Sequence, residues 1–443
     1  MDLKGKKVLV VGLGKSGYAA YELLKEMGAD ISLYDGNESL EVKVDDVDVY
    51  LGDFDRNIFK KFEIAVFSPG VPLDIPIADF LRENGTEIIG EIELAYLWEK
   101  GTVVAITGTN GKTTTTTLVG EICKAYNPKT YVVGNIGNPY TKEVLKTSED
   151  SITVAEISSF QLETMKTFKP KVSAILNITP DHLNRHKTME NYIAAKLSVA
   201  SNQGPKDLCV INYEDELLRK NLSKIITKIQ FFSSSRVIEK GMYKDEEGFI
   251  VDGITKKRLL DQRDTKLPGD HNAENIMAAL LIVKKLGVPM DLAVEVVKNF
   301  SPVEHRVEFV ETVDGVDYYN DSKGTNPDAA IKGIQSMDRP TVLIGGGYDK
   351  GGEFDAWIES FDGKVKKLLL MGETRERIAE TAKKLGFTDY EFVDSLEDAV
   401  ARAEEIAVSG DAVLLSPACA SWDMFDSYEQ RGNIFKELVR KQR

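Results

Sequence analysis

The stretch Gly108-Thr109-Asn110-Gly111-Lys112-Thr113-Thr114 joins the apolar run VVAIT to a helix-like segment. At such a strand-to-helix turn, successive backbone N–H groups can wrap phosphate oxygens. Lys112 can reach a terminal phosphate, and the Thr113 hydroxyl can ligate magnesium. The segment departs from the Walker A loop at one place, where Ile106 stands for the first glycine. The backbone cradle and its lysine survive that departure. An enzyme that only transfers hydride has no use for this loop.

A second glycine loop lies near the N-terminus. The run KVLVV leads into Gly12-x-Gly14-x-x-Gly17, with Lys15 and Ser16 inside the turn, and Asp35 ends the next strand-like run, SLYD. Glycines let N–H groups approach a phosphate at a helix N-terminus, and the Asp35 carboxylate can accept hydrogen bonds from the rest of a nucleotide. The plainer reading is a glycine turn that merely closes a βαβ unit. Ser68-Pro69-Gly70, after EIAVF, offers another phosphate contact.

The four histidines all fall in polar clusters: His182 and His186 in NITPDHLNRH, His271 in LPGDHNAEN and His305 in PVEHR. Glu156, in TVAEISSFQLE, is expected at a strand end. With His182 it would give magnesium mixed oxygen and nitrogen ligands, completed by phosphate and water. Taken singly, each histidine reads as structural, and Lys196 in Tyr192-x-x-Ala195-Lys196 reads as a solvated helix lysine. Further on, Asn320-Asp321-Ser322-Lys323-Gly324-Thr325-Asn326-Pro327 follows the expected strand end Tyr318-Tyr319. TVLIGGGYDKGG carries Lys350, and LLSPACASWDMFDSYEQRG carries Ser421, Asp423, Tyr428 and Arg431. A surface turn explains any one of these. Together, at the carboxyl ends of expected strands, they suggest domains facing one shared cleft.

The elements that must position these groups follow from pattern. Short apolar runs alternate with amphipathic helical stretches almost throughout, the mark of parallel α/β domains. A length of 443 residues suggests about three domains, with boundaries before TVVAITG and near Phe300–Pro302: 1–94, 95–301 and 302–443. The opening MDLKGKKVLVVGLG reads as a first β-strand rather than a signal peptide. No apolar run approaches the ~18 residues of a membrane span, so no membrane insertion is expected. A net charge of −15 argues against nucleic acid and anionic membranes as partners. Cys123, Cys209 and Cys419 form no metal or disulfide pattern and fit a reducing cytoplasm.

GTNGKTT, EISSFQL, NITPDHLNRH, YIAAK, GDHNAEN, EHR and NDSKGTNP occur in the order found in the Mur ligases, a family that includes folylpolyglutamate synthase. The sequence resembles that family over essentially its whole length. LLSPACASWDMFDSYEQRG and GLGKSG are similar to its D-glutamate-adding branch. The Asp-Asn-Pro-Arg signature of the diaminopimelate- or lysine-adding branch is absent, and the loop around Lys350 takes its place.

The resemblance implies three α/β domains: an N-terminal Rossmann-like domain, a central P-loop-type mononucleotide-binding domain and a C-terminal Rossmann-like domain. It implies ATP and magnesium as cofactors. The implied reaction joins D-glutamate to UDP-N-acetylmuramoyl-L-alanine through an acyl-phosphate, in cytoplasmic synthesis of the cell-wall peptidoglycan precursor. Gly14, Lys15, Ser16, Asp35, Ser68, Pro69, Gly70, Asn135 and His182 would hold the UDP-substrate. Gly108 through Thr114 would cradle ATP, with Asn272, Arg306 and Asp321 at adenine and ribose. Lys112, Glu156, His182 and Lys196 would serve catalysis. Lys196 matches a lysine that the family carbamylates into a metal ligand beside Thr113, Glu156 and His182. Lys323, Thr325, Lys350, Ser421 and Tyr428 would hold D-glutamate, and a monomer is expected. Gly36 and Asn37 after Asp35, Asn184, Gly324 and the aromatic Tyr428 are departures from the family pattern. The rival readings are another amino-acid-adding member, folylpolyglutamate synthase, a noncatalytic nucleotide-regulated binder and a nicotinamide oxidoreductase.

Overall fold

The computed structural model describes residues 2–42, 44–301 and 304–442. Pro302, at the second expected boundary, lies outside them. Strands form where apolar residues run without interruption, because both faces of a helix-covered parallel sheet are buried.

The first sheet contains β1 (Lys7–Val11), β2 (Asp30–Asp35), β3 (Asp48–Leu51), β4 (Ile64–Phe67) and β5 (Glu87–Gly90), in the order β3-β2-β1-β4-β5. All its pairings are parallel. The opening apolar run is therefore a central strand. β1 lies between β2 and β4, so the chain leaves it at the point where strand order reverses, the usual place for a ligand in such sheets. Gly12–Gly17 and Ser68–Gly70 follow the two strands flanking that point.

The second sheet contains β6 (Thr102–Thr107), β7 (Thr130–Gly134), β8 (Ile152–Glu156), β9 (Val172–Ile175), β10 (Leu208–Asn212), β11 (Lys228–Ser233), β12 (Gly241–Lys244), β13 (Phe249–Asp252) and β14 (Arg258–Asp261). Their order is β14-β13-β12-β11-β10-β9-β6-β8-β7. β6 lies between β8 and β9, with Ile106 opposite both Glu156 and Ala174. The strict α/β rhythm fails at β12–β14, which pair antiparallel. The turns there, around Gly248 and Gly253, are too short for a crossover helix.

The third sheet contains β15 (Glu308–Val313), β16 (Val316–Asn320), β17 (Thr341–Gly345), β18 (Val365–Leu370), β19 (Tyr390–Phe392) and β20 (Ala412–Leu415), in the order β15-β16-β20-β17-β18-β19. Only the hairpin β15–β16 is antiparallel. β20 inserts between β16 and β17, so the segments leaving these strands at Asp321, Ser416 and Gly346 become neighbours although far apart in sequence.

The chain divides into two compact units. One gathers the residues up to Ile178 with Glu190–Asp261 and Glu274–Asn299; the other gathers Thr179–Met189, Gln262–Ala273 and the chain from Phe300 on. The first holds two sheets, joined through the short helix Glu91–Tyr96, which contains residues 94 and 95. Both Glu91 and Glu93 are buried there. Glu91 accepts from the Thr141 N–H at 2.6 Å and its hydroxyl at 2.8 Å. Glu93 accepts from the N–H groups of Lys166, Thr167 and Phe168 at 2.9, 2.7 and 3.1 Å. Removing either carboxylate would leave buried donors unpaired.

Candidate active site

In the first unit, β6 ends at Thr107 and the helix Lys112–Tyr126 begins after Gly111. Gly111 has φ +80°, and a Cβ there would meet Asn275 Oδ1 at 2.4 Å, so both conformation and space demand glycine. The loop is tied down by hydrogen bonds from both of its sides. Thr109 Oγ1 lies 3.0 Å from the Tyr192 hydroxyl. The Asn110 N–H donates to Asn177 Oδ1 at 2.8 Å, and Asn177 Nδ2 returns a bond to the Asn110 carbonyl at 3.1 Å.

Lys112 Nζ donates to the carbonyls of Gly108 at 2.9 Å and Thr109 at 2.7 Å. Lys196 Nζ donates to the same Gly108 carbonyl at 2.8 Å. Lys196 is 2% exposed and its ammonium lies 4.7 Å from the Tyr192 ring centroid, which corrects the solvated-lysine reading of its helix. Two ammonium groups on one carbonyl repel each other and make the loop attractive to an anion with several negative oxygens.

Glu156 closes β8 one strand away and is 1% exposed. Its Oε1 accepts from Asn135 Nδ2 at 2.7 Å, whereas the buried Oε2 has no hydrogen-bond partner. An orphaned buried carboxylate oxygen is costly unless a cation meets it. Glu156 thus fits a hard divalent ion. Among the described residues no group of three or more His, Cys, Asp or Glu is placed to hold a metal. Thr113 is half-buried in the first helical turn, and Thr114 beside it is buried.

At the first sheet, a Cβ on Gly17 would come within 2.0 Å of the Gly12 carbonyl, so glycine alone allows the helix Lys15–Glu26 to start here. Asp35 is already engaged. Its Oδ2 accepts from the Leu13 N–H at 2.8 Å and its Oδ1 from the Asn37 N–H at 3.0 Å, so it shapes the glycine loop directly. Ser68 Oγ donates to the Gly12 carbonyl at 2.7 Å, which brings Ser68-Pro69-Gly70 to the same turn. Gly14 and Lys15 are exposed and Ser16 is half-buried. Lys15 Nζ reaches the Gly137 carbonyl at 2.9 Å, beside the loop that carries Asn135.

The second unit holds the remaining candidates. Asp321 is fully buried; Ser416 Oγ donates to its Oδ2 at 2.8 Å and the Val307 N–H to its Oδ1 at 3.3 Å. Burial pushes its carboxyl up to about 6, against the pull of Arg306. Burial, then the charges of Arg306 and Lys332, push His271 down to about 4, which keeps it neutral near pH 7. Asn272 Nδ2 donates to the Pro268 carbonyl at 2.8 Å.

Lys323 Nζ donates to the Tyr428 hydroxyl at 3.1 Å and lies 4.9 Å from its ring centroid. A fully buried Arg431 stitches the surrounding loops. It donates to Ser322 Oγ and the Ser322 carbonyl at 3.0 and 2.9 Å, and to the Ala420 and Cys419 carbonyls at 3.3 Å each. Burial lowers its guanidinium to about 10.

A cavity of about 480 Å³ is lined by Asp181, His182, Thr325, Asn326, Lys350 and Cys419, among others. Lys350 Nζ pairs with Asp181 Oδ1 at 2.9 Å. Thr325, Lys350 and His182 are thus brought together, while Lys323, Ser421 and Tyr428 are not part of that lining. Ser421 is buried, and its carbonyl accepts the N–H groups of Met424 and Phe425 at 3.1 and 2.8 Å. No role was read from the sequence for Asp181, Asn177 or Ser416, and Arg431 was named only among the polar groups of its loop. Asp181 lies inside NITPDHLNRH beside His182, and that adjacency was the available signal.

Three family models match the chain: Mur ligase MurD-like, N-terminal domain over residues 6–90; Mur ligase middle domain over 106–283; and Mur ligase, glutamate ligase domain over 305–419. A protein of Lachnospira eligens named UDP-N-acetylmuramoylalanine--D-glutamate ligase is 56% identical over 447 residues, 99% of each chain. One of the same name from Clostridioides difficile is 47% identical over 448 residues, again 99% of each. Among solved structures, UDP-N-acetylmuramate-alanine ligase MurC from Thermotoga maritima superposes with TM-score 0.62 at 18% identity, over 99% of this chain and 100% of that one. A MurF ligase from the same organism, in complex with ADP, gives TM-score 0.61 at 18% identity, over 100% of this chain and 97% of that one. At such identity these two structures speak to the fold alone.

Proposed function

This chain belongs to the Mur ligase family, and on that premise we propose that it joins D-glutamate to UDP-N-acetylmuramoyl-L-alanine at the expense of ATP, in peptidoglycan precursor synthesis. The observation that carries the chemistry is the pair of ammonium groups, Lys112 and Lys196, on the Gly108 carbonyl, one strand from the orphaned oxygen of Glu156. The specific substrates rest on full-length relatives at 46–56% identity that bear this ligase's name. We take 1–94 as the UDP-substrate domain, 95–301 as the ATP domain and 302–443 as the amino-acid domain. We expect a cytoplasmic monomer. Among the described residues no helix is long and apolar enough to cross a membrane.

A carboxylate is a poor acylating agent, so the L-alanine carboxylate first attacks the γ-phosphorus of ATP, and ADP leaves. Lys112 and the N–H groups of Gly108–Thr114 neutralise the charge that builds on the transferring phosphoryl group. Magnesium would lie on Thr113, Glu156, His182 and, once carbamylated, Lys196; it would supply Lewis-acid charge neutralisation at the phosphate oxygens. The D-glutamate amine then attacks the acyl-phosphate carbonyl and phosphate departs. Asn272, Arg306 and Asp321 are assigned to adenine and ribose. Gly14, Lys15, Ser16, Asp35, Ser68, Pro69, Gly70, Asn135 and His182 are assigned to the sugar nucleotide, and Lys323, Thr325, Lys350, Ser421 and Tyr428 to D-glutamate. Much of the rate would come from positioning the reacting groups.

The test is phosphate release with ATP, magnesium and UDP-N-acetylmuramoyl-L-alanine, adding D-glutamate, L-glutamate, L-alanine or meso-diaminopimelate one at a time. Release with D-glutamate alone, and a product heavier by one glutamyl residue, is the expected result. Release with a different amino acid would move the chain to another branch of the family.

A further inference from the structure

The Lys350–Asp181 pair is set into the wall of the cavity, with the two side chains only 10% and 9% exposed. Asp181 is held by more than the lysine: Oδ1 also accepts the His182 N–H at 2.9 Å, and Oδ2 accepts from Asn326 Nδ2 at 3.3 Å. His182 Nε2 lies 3.5 Å from Oδ2. Three other carboxylates line the cavity, but none is placed this way. Asp349 is taken by Arg377 and by the Gly351 N–H at 2.7 Å. Glu353 is exposed, and Asp328 is half-buried at the start of the helix Pro327–Gln335.

We propose that this ion pair is the receptor for the amino-acid zwitterion: Lys350 passes to a carboxylate of D-glutamate while Asp181 takes its α-ammonium. Asp181 is then the residue that selects an amino acid over a dicarboxylate without an amine. The proposal rests on the ligase reading above. The physical case is charge compensation. A buried ammonium–carboxylate pair can be opened without large penalty only by a ligand that offers both charges, because any partner left alone keeps its full desolvation cost. D-glutamate exchanges one internal ion pair for two and leaves neither side chain unpaired. Glutarate has the same two carboxylates but no ammonium, so it takes Lys350 and strands Asp181.

The experiment uses the full-length enzyme with ATP, magnesium and UDP-N-acetylmuramoyl-L-alanine, and measures KM for D-glutamate and Ki for glutarate as its competitor. In the unmodified enzyme Ki for glutarate should exceed KM for D-glutamate by roughly tenfold or more. Asp181→Asn should raise KM for D-glutamate by about tenfold or more while leaving Ki for glutarate unchanged or lower. Asp181→Glu, which restores the charge, should restore the preference for D-glutamate. Equal weakening of both ligands by Asp181→Asn would reduce Asp181 to a structural role and overturn the proposal. Comparable affinities in the unmodified enzyme would overturn it with no variant needed. An unmodified enzyme with no D-glutamate-dependent turnover would overturn the ligase reading and the proposal together.

Discussion

The proposed phosphate loop is one uninterrupted stretch, Gly108–Thr114, whereas the cavity in the second unit takes its walls from Thr179–Leu183, Thr325–Asp328, Tyr348–Phe354 and Ala418–Cys419. The first works through local geometry: a glycine at φ +80°, a helix start and a lysine folded back over its own loop. The second takes three of its four walls from the segments after β16, β17 and β20, neighbours because β20 inserts between the other two, and Arg431 binds the segments after β16 and β20. Damage to the first should therefore remove chemistry and spare the fold. Damage to the second should spread through binding and stability together.

The largest effect is expected at Lys112. Lys112→Ala should lower turnover by about 10³-fold, the scale for losing a charged donor at a transition state, while calorimetry finds UDP-substrate binding nearly unchanged. Normal turnover would erase the distinction between the two regions. Lys196→Arg comes next. It keeps the positive charge but cannot be carbamylated, so turnover should fall by roughly 10²-fold or more if the carbamate is a metal ligand. Retained turnover would instead assign Lys196 the role of a plain cation.

Arg431→Met sharpens the comparison from the other side. It strips four buried acceptors of their donor, so urea unfolding should show a loss of about 3 kcal/mol, together with a raised KM for D-glutamate. A shift in KM at unchanged stability would show the loops to be self-supporting. The smallest effect concerns Asp321, whose carboxyl is raised to about 6 by burial. A raised carboxyl contributes stability below its unfolded value, near 4, and loses it as pH rises through about 6. Asp321→Asn should therefore gain stability relative to the parent between pH 4 and 7. Parallel pH profiles would contradict the burial argument.

Legibility in the sequence follows the same division. The phosphate loop, β1 and Glu156 at the end of β8 could be read directly, since a glycine turn after an apolar run needs no distant partner. Lys196 could not. Its burial comes from Tyr192 and the Gly108 carbonyl, a tertiary environment that one helix's composition does not encode. Arg431 and Asp181 were quoted within motifs, yet their roles depend on Ser322, Cys419 and Lys350, brought near by strand order alone. Resemblance to a family supplied roles for Lys323, Thr325, Lys350, Ser421 and Tyr428, whereas the structure groups only Thr325 and Lys350 around the cavity. The antiparallel strands β12–β14 escaped the α/β rhythm because they are four residues each and the turns between them are too short to hold a helix.

The acyl-phosphate is the central claim, and oxygen transfer tests it most directly. UDP-N-acetylmuramoyl-L-alanine labelled with ¹⁸O in its carboxylate would be turned over with ATP and D-glutamate, and the released phosphate analysed by mass spectrometry. The account predicts one ¹⁸O atom in each phosphate, because the carboxylate oxygen that attacks phosphorus leaves with it. Phosphate free of label would contradict it.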